Sequence, residues 1–178
     1  MPVKANCGVA ILVLRAKTPA VTDRTVAGNN QCWISNTPKK MSAIYDKAKL
    51  FFDACDSGKG WQVCKEYCHP DATFSAQGPA LASVNTLEGY TNWMKDFFTP
   101  VPDGRYELKF FAEDQERQCV AGYGVYYGTH TGPGGPVEPT GKTLSADYAY
   151  VMQFEEGRIR HMTKIWNDAF GLRQLGWA

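Results

Sequence analysis

Residues 142–176 read KTLSADYAYVMQFEEGRIRHMTKIWNDAFGLRQLG. From Leu144 to Phe154 the stretch is dense in Tyr, Val, Met and Phe, whose branched or ring side chains suit a pleated, half-buried surface. Glu155-Glu156-Gly157 interrupts it, and residues 158–166 resume with Ile, Met, Thr and Trp. Two such runs about a short break containing glycine predict a β-hairpin. Beyond Asn167-Asp168 the apolar residues change spacing to Phe170, Leu172 and Leu175 before Gly176, which predicts a short closing helix.

Side chains alternate across a strand, so the hairpin has two chemically different faces. In its second strand Met162, Lys164, Trp166 and Asp168 fall on one face, and Ile159, His161, Thr163 and Ile165 on the other. In its first strand Tyr148, Tyr150, Met152 and Phe154 oppose Asp147, Ala149, Val151 and Gln153. The face of large aromatics ending in a carboxylate suits the wall of a half-buried ligand cavity, where apolar surface holds a ligand and a few polar groups orient it. The same residues also suit a plain hydrophobic core. The smaller, mostly apolar face of Ala149, Val151, Ile159, Thr163 and Ile165 is the surface on which a homodimer is expected.

The run VMQFEEGRIRHMTKIWNDAFGLRQLG resembles the carboxyl end of the SnoaL-like polyketide cyclases and, more widely, of the nuclear transport factor 2-like superfamily. The resemblance covers roughly residues 41–178. It implies an α+β fold: a curved mixed or antiparallel sheet wrapped around three helices, like a cone with an internal pocket. It leaves function open, because that fold hosts cyclases, isomerases, dehydratases, hydrolases and pure binding proteins.

Working outward, Met41, Ile44, Tyr45, Ala48, Phe51, Phe52 and Cys55 form one stripe at spacings of three and four, and Asp56-Ser57-Gly58 reads as its stop. A shorter helix fits residues 61–67. His69-Pro70-Asp71 reads as a turn into a strand over residues 72–76, and this H-P-D-A-T-F entry is similar to the amino half of SnoaL-like proteins. Thr86 and Glu88 open a third helix whose buried stripe is Leu87, Tyr90, Met94 and Phe97, ended by Pro100 and Pro102. Strands are expected over residues 106–113, 119–131 and 143–154, with Gly122, Gly124 and Gly128 letting the sheet bend. The loop Gly132-Pro133-Gly134-Gly135-Pro136, with Pro139 and Gly141, is long enough to cover a pocket. Residues 1–40 lack either period and are expected to be an arm outside the 41–178 domain. Their apolar run at 8–14 is too short to span a bilayer, and Arg15 cuts it off.

With 19 basic against 18 acidic residues, no global field draws the chain to nucleic acid or an anionic membrane, and the expected partner is a small-molecule ligand. Cys64 and Cys68 share a C-x3-C spacing beside His69, but the other four cysteines are scattered singly and complete no four-ligand set, so neither a metal nor another cofactor is expected. Buried free thiols point to a reducing, cytoplasmic setting. No G-x-S-x-G elbow is present, and no Ser or Cys stands in an activating context. His69 and His161 read as structural; the face of His130 stays unassigned.

The resemblance implies that Asp168, in W-x-D ahead of G-L-x-Q-L-G, is an acid/base aspartate, and an equal reading makes it only the cap of the closing helix. Ketosteroid isomerases, relatives with a similar last hairpin, carry their catalytic tyrosine, base aspartate and protonated aspartate where this chain has Phe51, Ala76 and Tyr150. Phe51 and Ala76 do no proton chemistry, which argues against steroid isomerisation by that route, while Tyr150 can still donate to a carbonyl oxygen. The sequence thus predicts a pocket formed by Phe51, Tyr67, Tyr90, Trp93, Tyr148, Met162 and Trp166, with Asp168 and Tyr150 as catalytic candidates. Its use is either cofactor-free cyclase, isomerase or hydrolase chemistry on a small cyclic or polyketide-like molecule, or ligand binding without turnover.

Overall fold

Ser42 opens the first helix by accepting a hydrogen bond from the Tyr45 amide at 3.3 Å, which satisfies one of the free N–H groups of the first turn. The computed structural model describes residues 42–177, so the arm expected over residues 1–40, and its boundary, lie outside the described residues. The elements are α1 (Ala43–Asp56), α2 (Trp61–Cys64) running into a 3-10 turn (Lys65–Tyr67), β1 (Cys68–Ala76), a second 3-10 turn (Pro79–Leu81) and α3 (Leu87–Phe97). They continue with β2 (Arg105–Asp114), β3 (Cys119–Thr129), β4 (Thr143–Glu155), β5 (Arg158–Trp166) and α4 (Asp168–Leu175). His69-Pro70-Asp71, expected as a turn, lies inside β1, where the register with β5 is interrupted between Cys68 and Thr73.

The five strands form one sheet in the order β1-β5-β4-β3-β2, with β1 parallel to β5 and every other pair antiparallel. In β4 the expected alternation holds. Tyr148, Tyr150, Met152 and Phe154 are buried against the helices, while Asp147 and Gln153 are exposed. In β5 it holds only from His161 onward. An irregularity between Gln153 and Phe154 leaves Arg160 unpaired, so Gln153 pairs with His161 but Phe154 pairs with Ile159. One extra residue reverses the parity of everything before it. Ile159, placed by simple alternation on the outer face, is therefore a fully buried core residue, and the outer face keeps Ala149, Val151, Thr163 and an exposed Ile165.

The concave side is filled by Phe51 and Phe52 of α1 and by Tyr90 and Met94 of α3, all packed against the aromatic face of β4 and β5. Gly122 shows how tightly: a Cβ there would fall 2.4 Å from the Phe111 ring and 3.0 Å from that of Phe52. Only a residue without a side chain lets both rings reach the sheet.

Candidate functional site

Asp56 is the last residue of α1, and its position four after Phe52 puts its carboxylate on the buried stripe, facing the sheet. There the hydroxyls of Tyr148 and Tyr150 donate to its two oxygens, at 2.5 and 2.6 Å. Opposite Tyr150 in register stands Lys164 of β5, and opposite Tyr148 stands Trp166. The Lys164 ammonium donates to the hydroxyl of Tyr90 from α3 at 2.8 Å, and that hydroxyl lies 2.5 Å from the hydroxyl of Tyr150. Each hydroxyl has one proton, so the donors order themselves. Tyr150 donates to the carboxylate, Tyr90 therefore donates to Tyr150, and Lys164 donates to Tyr90. The result is a one-way relay of buried hydrogen bonds from Lys164 through two phenols to Asp56.

Burial pushes the Asp56 carboxyl up to about 6, opposed by the charge of Lys164 and by the two phenols, and pushes the Lys164 ammonium down to about 8, opposed chiefly by the charge of Asp56. Burial, reinforced by the negative charge of Asp56, holds the phenols of Tyr90 and Tyr150 well above their ordinary value, so both stay protonated. The ammonium also lies within 4.7 Å of the Trp166 ring centre, 5.2 Å of those of Tyr90 and Tyr148, 5.6 Å of Tyr150 and 6.0 Å of Trp93. Aromatic rings on several sides replace part of the water that this cation has lost.

Lys164 is also part of the wall of a cavity whose other sides include Trp93 and Phe97 of α3, Tyr126 of β3, Tyr148 of β4 and Trp166 of β5. The rings nearly fill it, leaving room for little more than a water molecule. In that wall the buried hydroxyl of Tyr126 has no hydrogen-bond partner. A cavity with an apolar lining and one cation suits a flat, largely apolar molecule carrying oxygen atoms.

Of the residues expected in the pocket, Trp93, Tyr148 and Trp166 line this cavity, and Tyr90 and Tyr150 carry the relay beneath it. Phe51 and Met162 are fully buried core residues that do not line it, and Tyr67, partly exposed at the end of its 3-10 turn, does not line it either. Asp168 also stands apart. The parity expected to carry it into the cavity stops because β5 ends at Trp166 and Asp168 is already the first residue of α4. Its buried carboxylate accepts the amides of Ala80 and Ala169, both at 2.8 Å, and a Cβ on Gly78 would fall 2.5 Å from its carboxyl carbon. Capping of α4 is done by Asn167, which accepts the Phe170 amide at 3.0 Å.

The histidines lie away from the cavity wall. His130 is fully buried and its Nδ1 accepts the indole N–H of Trp177 at 2.9 Å; His161 bonds Thr73 and Ser75 on the outer face; His69 bonds the Glu155 carbonyl. Among the described residues, Cys55, Cys64, Cys68 and Cys119 are free thiols, and no three His, Cys, Asp or Glu side chains gather as a metal-ligand set. The glycine-rich loop is fastened at its base, where Gly141 donates to the His130 carbonyl and Gly132 to that of Pro100, and its Gly134, Gly135 and Pro136 border a second hollow with Trp93, Phe97 and Trp177.

The sequence profile of the SnoaL-like polyketide cyclases matches residues 46–175. The chain belongs to the SnoaL-like polyketide cyclase family. It is 28% identical over 144 residues to aklanonic acid methyl ester cyclase AcmA of Streptomyces galilaeus, a match covering 76% of this chain and 92% of AcmA. Two similar crystal structures share the fold. One is IdmH, a putative polyketide cyclase from Streptomyces antibioticus, at 24% identity and a TM-score of 0.60, over 75% of this chain and 98% of IdmH. The other is AclR, a putative hydroxylase from Streptomyces galilaeus, at 18% identity and 0.62, over 77% and 98%. Both the curved α+β fold and the family read from the last hairpin are thus correct. Among the described residues no helix is long and apolar enough to cross a membrane.

Proposed function

We propose that this SnoaL-like protein is a cofactor-free acid/base enzyme that closes or isomerises a ring in a small cyclic or polyketide-like carbonyl compound held in the aromatic cavity. The observation that carries the reading is the position of Lys164, at once in the cavity wall and at the head of a buried relay to Asp56. With its proton passed along the relay, Lys164 is an amine. It takes the acidic proton from a carbon beside the substrate carbonyl, and the ammonium so formed stands against the enolate oxygen. The enolate attacks a second carbonyl within the same molecule, and the ammonium returns its proton to the new alkoxide. Nothing is oxidised or reduced, and the enzyme ends as it began. A value near 8 for Lys164 suits such proton traffic at neutral pH.

In this proposal Tyr150 relays and positions, while Asp168 fastens α4 to the Pro79–Leu81 turn. The protein is further proposed to pair with a second copy through the outer face around Ile165. The name of AcmA supplies the first substrate to try, aklanonic acid methyl ester. Lys164→Met keeps the length and apolar stem but removes the amine, and should lower turnover by roughly a hundredfold or more while ligand binding persists. Turnover undiminished in that variant would overturn the reading. Ligand binding to the unaltered protein with no turnover would favour the alternative, a binding module, to which the nearly filled cavity also lends itself.

A further inference from the structure

Asp56 and Lys164 are a buried pair of opposite charges that do not touch. Two phenol hydroxyls stand between them, and among the described residues Lys164 makes no direct ion pair and has one hydrogen-bond partner, Tyr90. A carboxylate in contact would lock the ammonium; the relay instead gives its proton a path to Asp56 while leaving the nitrogen at the cavity wall. From this arrangement we infer that Lys164 is also a nucleophile, which captures small β-dicarbonyl compounds as a covalent iminium on its Nζ. The inference rests on the cavity of the proposed function but not on its proton-transfer chemistry.

The step balances without a co-reactant. The ammonium gives one proton through Tyr90 and Tyr150 to Asp56, and rotation about the Cε–Nζ bond turns the freed lone pair from Tyr90 toward the cavity. Nitrogen adds to the carbonyl carbon, the C–N bond forms as the C=O π bond opens, and a second proton moves from nitrogen to oxygen. The proton stored on Asp56 returns along the relay, the hydroxyl leaves as water, and nitrogen keeps its last hydrogen as a positively charged iminium beside a restored carboxylate. The groups facing Nζ favour this product. Tyr148 and Tyr150 from β4, Trp166 from β5, and Tyr90 and Trp93 from α3 put aromatic rings around it that serve an iminium as they serve the ammonium, and Cys55 of α1 is held as a neutral thiol by burial. The apolar wall holds little water to reverse the dehydration.

Acetylacetone tests this, because its iminium relaxes to a stable conjugated enaminone with its own near-ultraviolet band. The full-length protein should gain the mass of one acetylacetone less one water, and peptide mapping should find the addition on Lys164, about tenfold above exposed Lys49 and Lys95. Lys164→Arg should give no such band. Should that variant not fold, mapping on the unaltered protein decides alone. Label spread evenly over surface lysines, or none on Lys164, overturns the inference, and turnover of the polyketide ester by that same unlabelled preparation would leave the proton-transfer reading standing. Label on Lys164 without ester turnover supports the iminium and removes the other.

Discussion

Asp56→Asn exchanges the carboxylate at the end of the relay for a neutral group of the same shape, and the balance of terms forecasts a protein that is more stable and less active. Moving a carboxyl from 3.8 to about 6 reflects about 3 kcal/mol of net penalty for holding it ionised in the fold. Asparagine removes that penalty and still offers a carbonyl oxygen to Tyr148 or Tyr150, while either phenol can accept from its N–H groups. Against the gain stands the lost attraction on Lys164. That loss is limited, because an ammonium already lowered to about 8 can shed its proton near neutrality for about 1 kcal/mol more. A net gain of about 2 kcal/mol at pH 7 follows. The sign with pH is specific. A carboxyl whose folded value is raised loses stability as pH climbs from the unfolded value to the folded one, so the advantage of Asn should be nil near pH 4, grow through pH 6 and rise further toward pH 8 as Lys164 sheds its own charge. Urea unfolding at pH 4, 5, 6 and 7 reads it directly. A destabilised variant, or a difference that does not change with pH, would refute the reasoning and make Asp56 an acceptor the core requires.

Asp168→Ala leaves the partly buried amides of Ala80 and Ala169 without their acceptor and should destabilise the fold by about 1–3 kcal/mol, seen in the same unfolding assay, while ester turnover at a temperature where the variant is folded changes little. A hundredfold loss of turnover with unchanged stability would restore Asp168 as the acid/base group implied by the family resemblance. Light scattering should give a dimer mass at micromolar concentration for the unaltered protein and a monomer for Ile165→Lys, whose side chain is exposed on the outer face. A monomeric unaltered protein would remove the sheet-face dimer.

The last hairpin was legible because strand alternation and burial agree along β4, and because α4 announces itself by a change of spacing before Gly176, which takes a left-handed backbone there. The outlying misreading has a physical cause. A single bulge at Arg160 reverses parity for Ile159, and nothing in the composition of R-I-R-H marks it. Lys164 was visible on the cavity face, yet a lone lysine among aromatics says little until its partner is known. That partner, Asp56, was hidden in plain view. In Asp56-Ser57-Gly58 it reads as helix punctuation, whereas counting four residues from Phe52 puts it on the buried stripe. Only the distance across the fold, from the end of α1 to β4, joins it to Tyr148 and Tyr150. Asp168 stands apart for the converse reason: its side chain is buried, but β5 ends two residues before it, so strand parity does not aim it.

The nearly filled cavity bears on how such a site works. Its rings exclude water from the Lys164 ammonium, and the same exclusion depresses that group and raises Asp56. A multi-ring ligand can enter only as wall residues give way. Lys164 is held by Tyr90, and Tyr148 by Asp56, so the wall rings free of side-chain hydrogen bonds among the described residues are those of Trp93, Phe97, Tyr126 and Trp166. Trp93 and Phe97 also border the hollow beneath Gly134, Gly135 and Pro136, whose loop is fastened at its two ends but crosses that hollow between them. Shifting those two rings therefore presses on the middle of the loop, while Tyr150 and Asp56, at the far end of the relay, do not border the cavity. On this account the ligand takes the place of the rings rather than of water, so the groups that move protons stay buried and preorganised whether the cavity is open or closed.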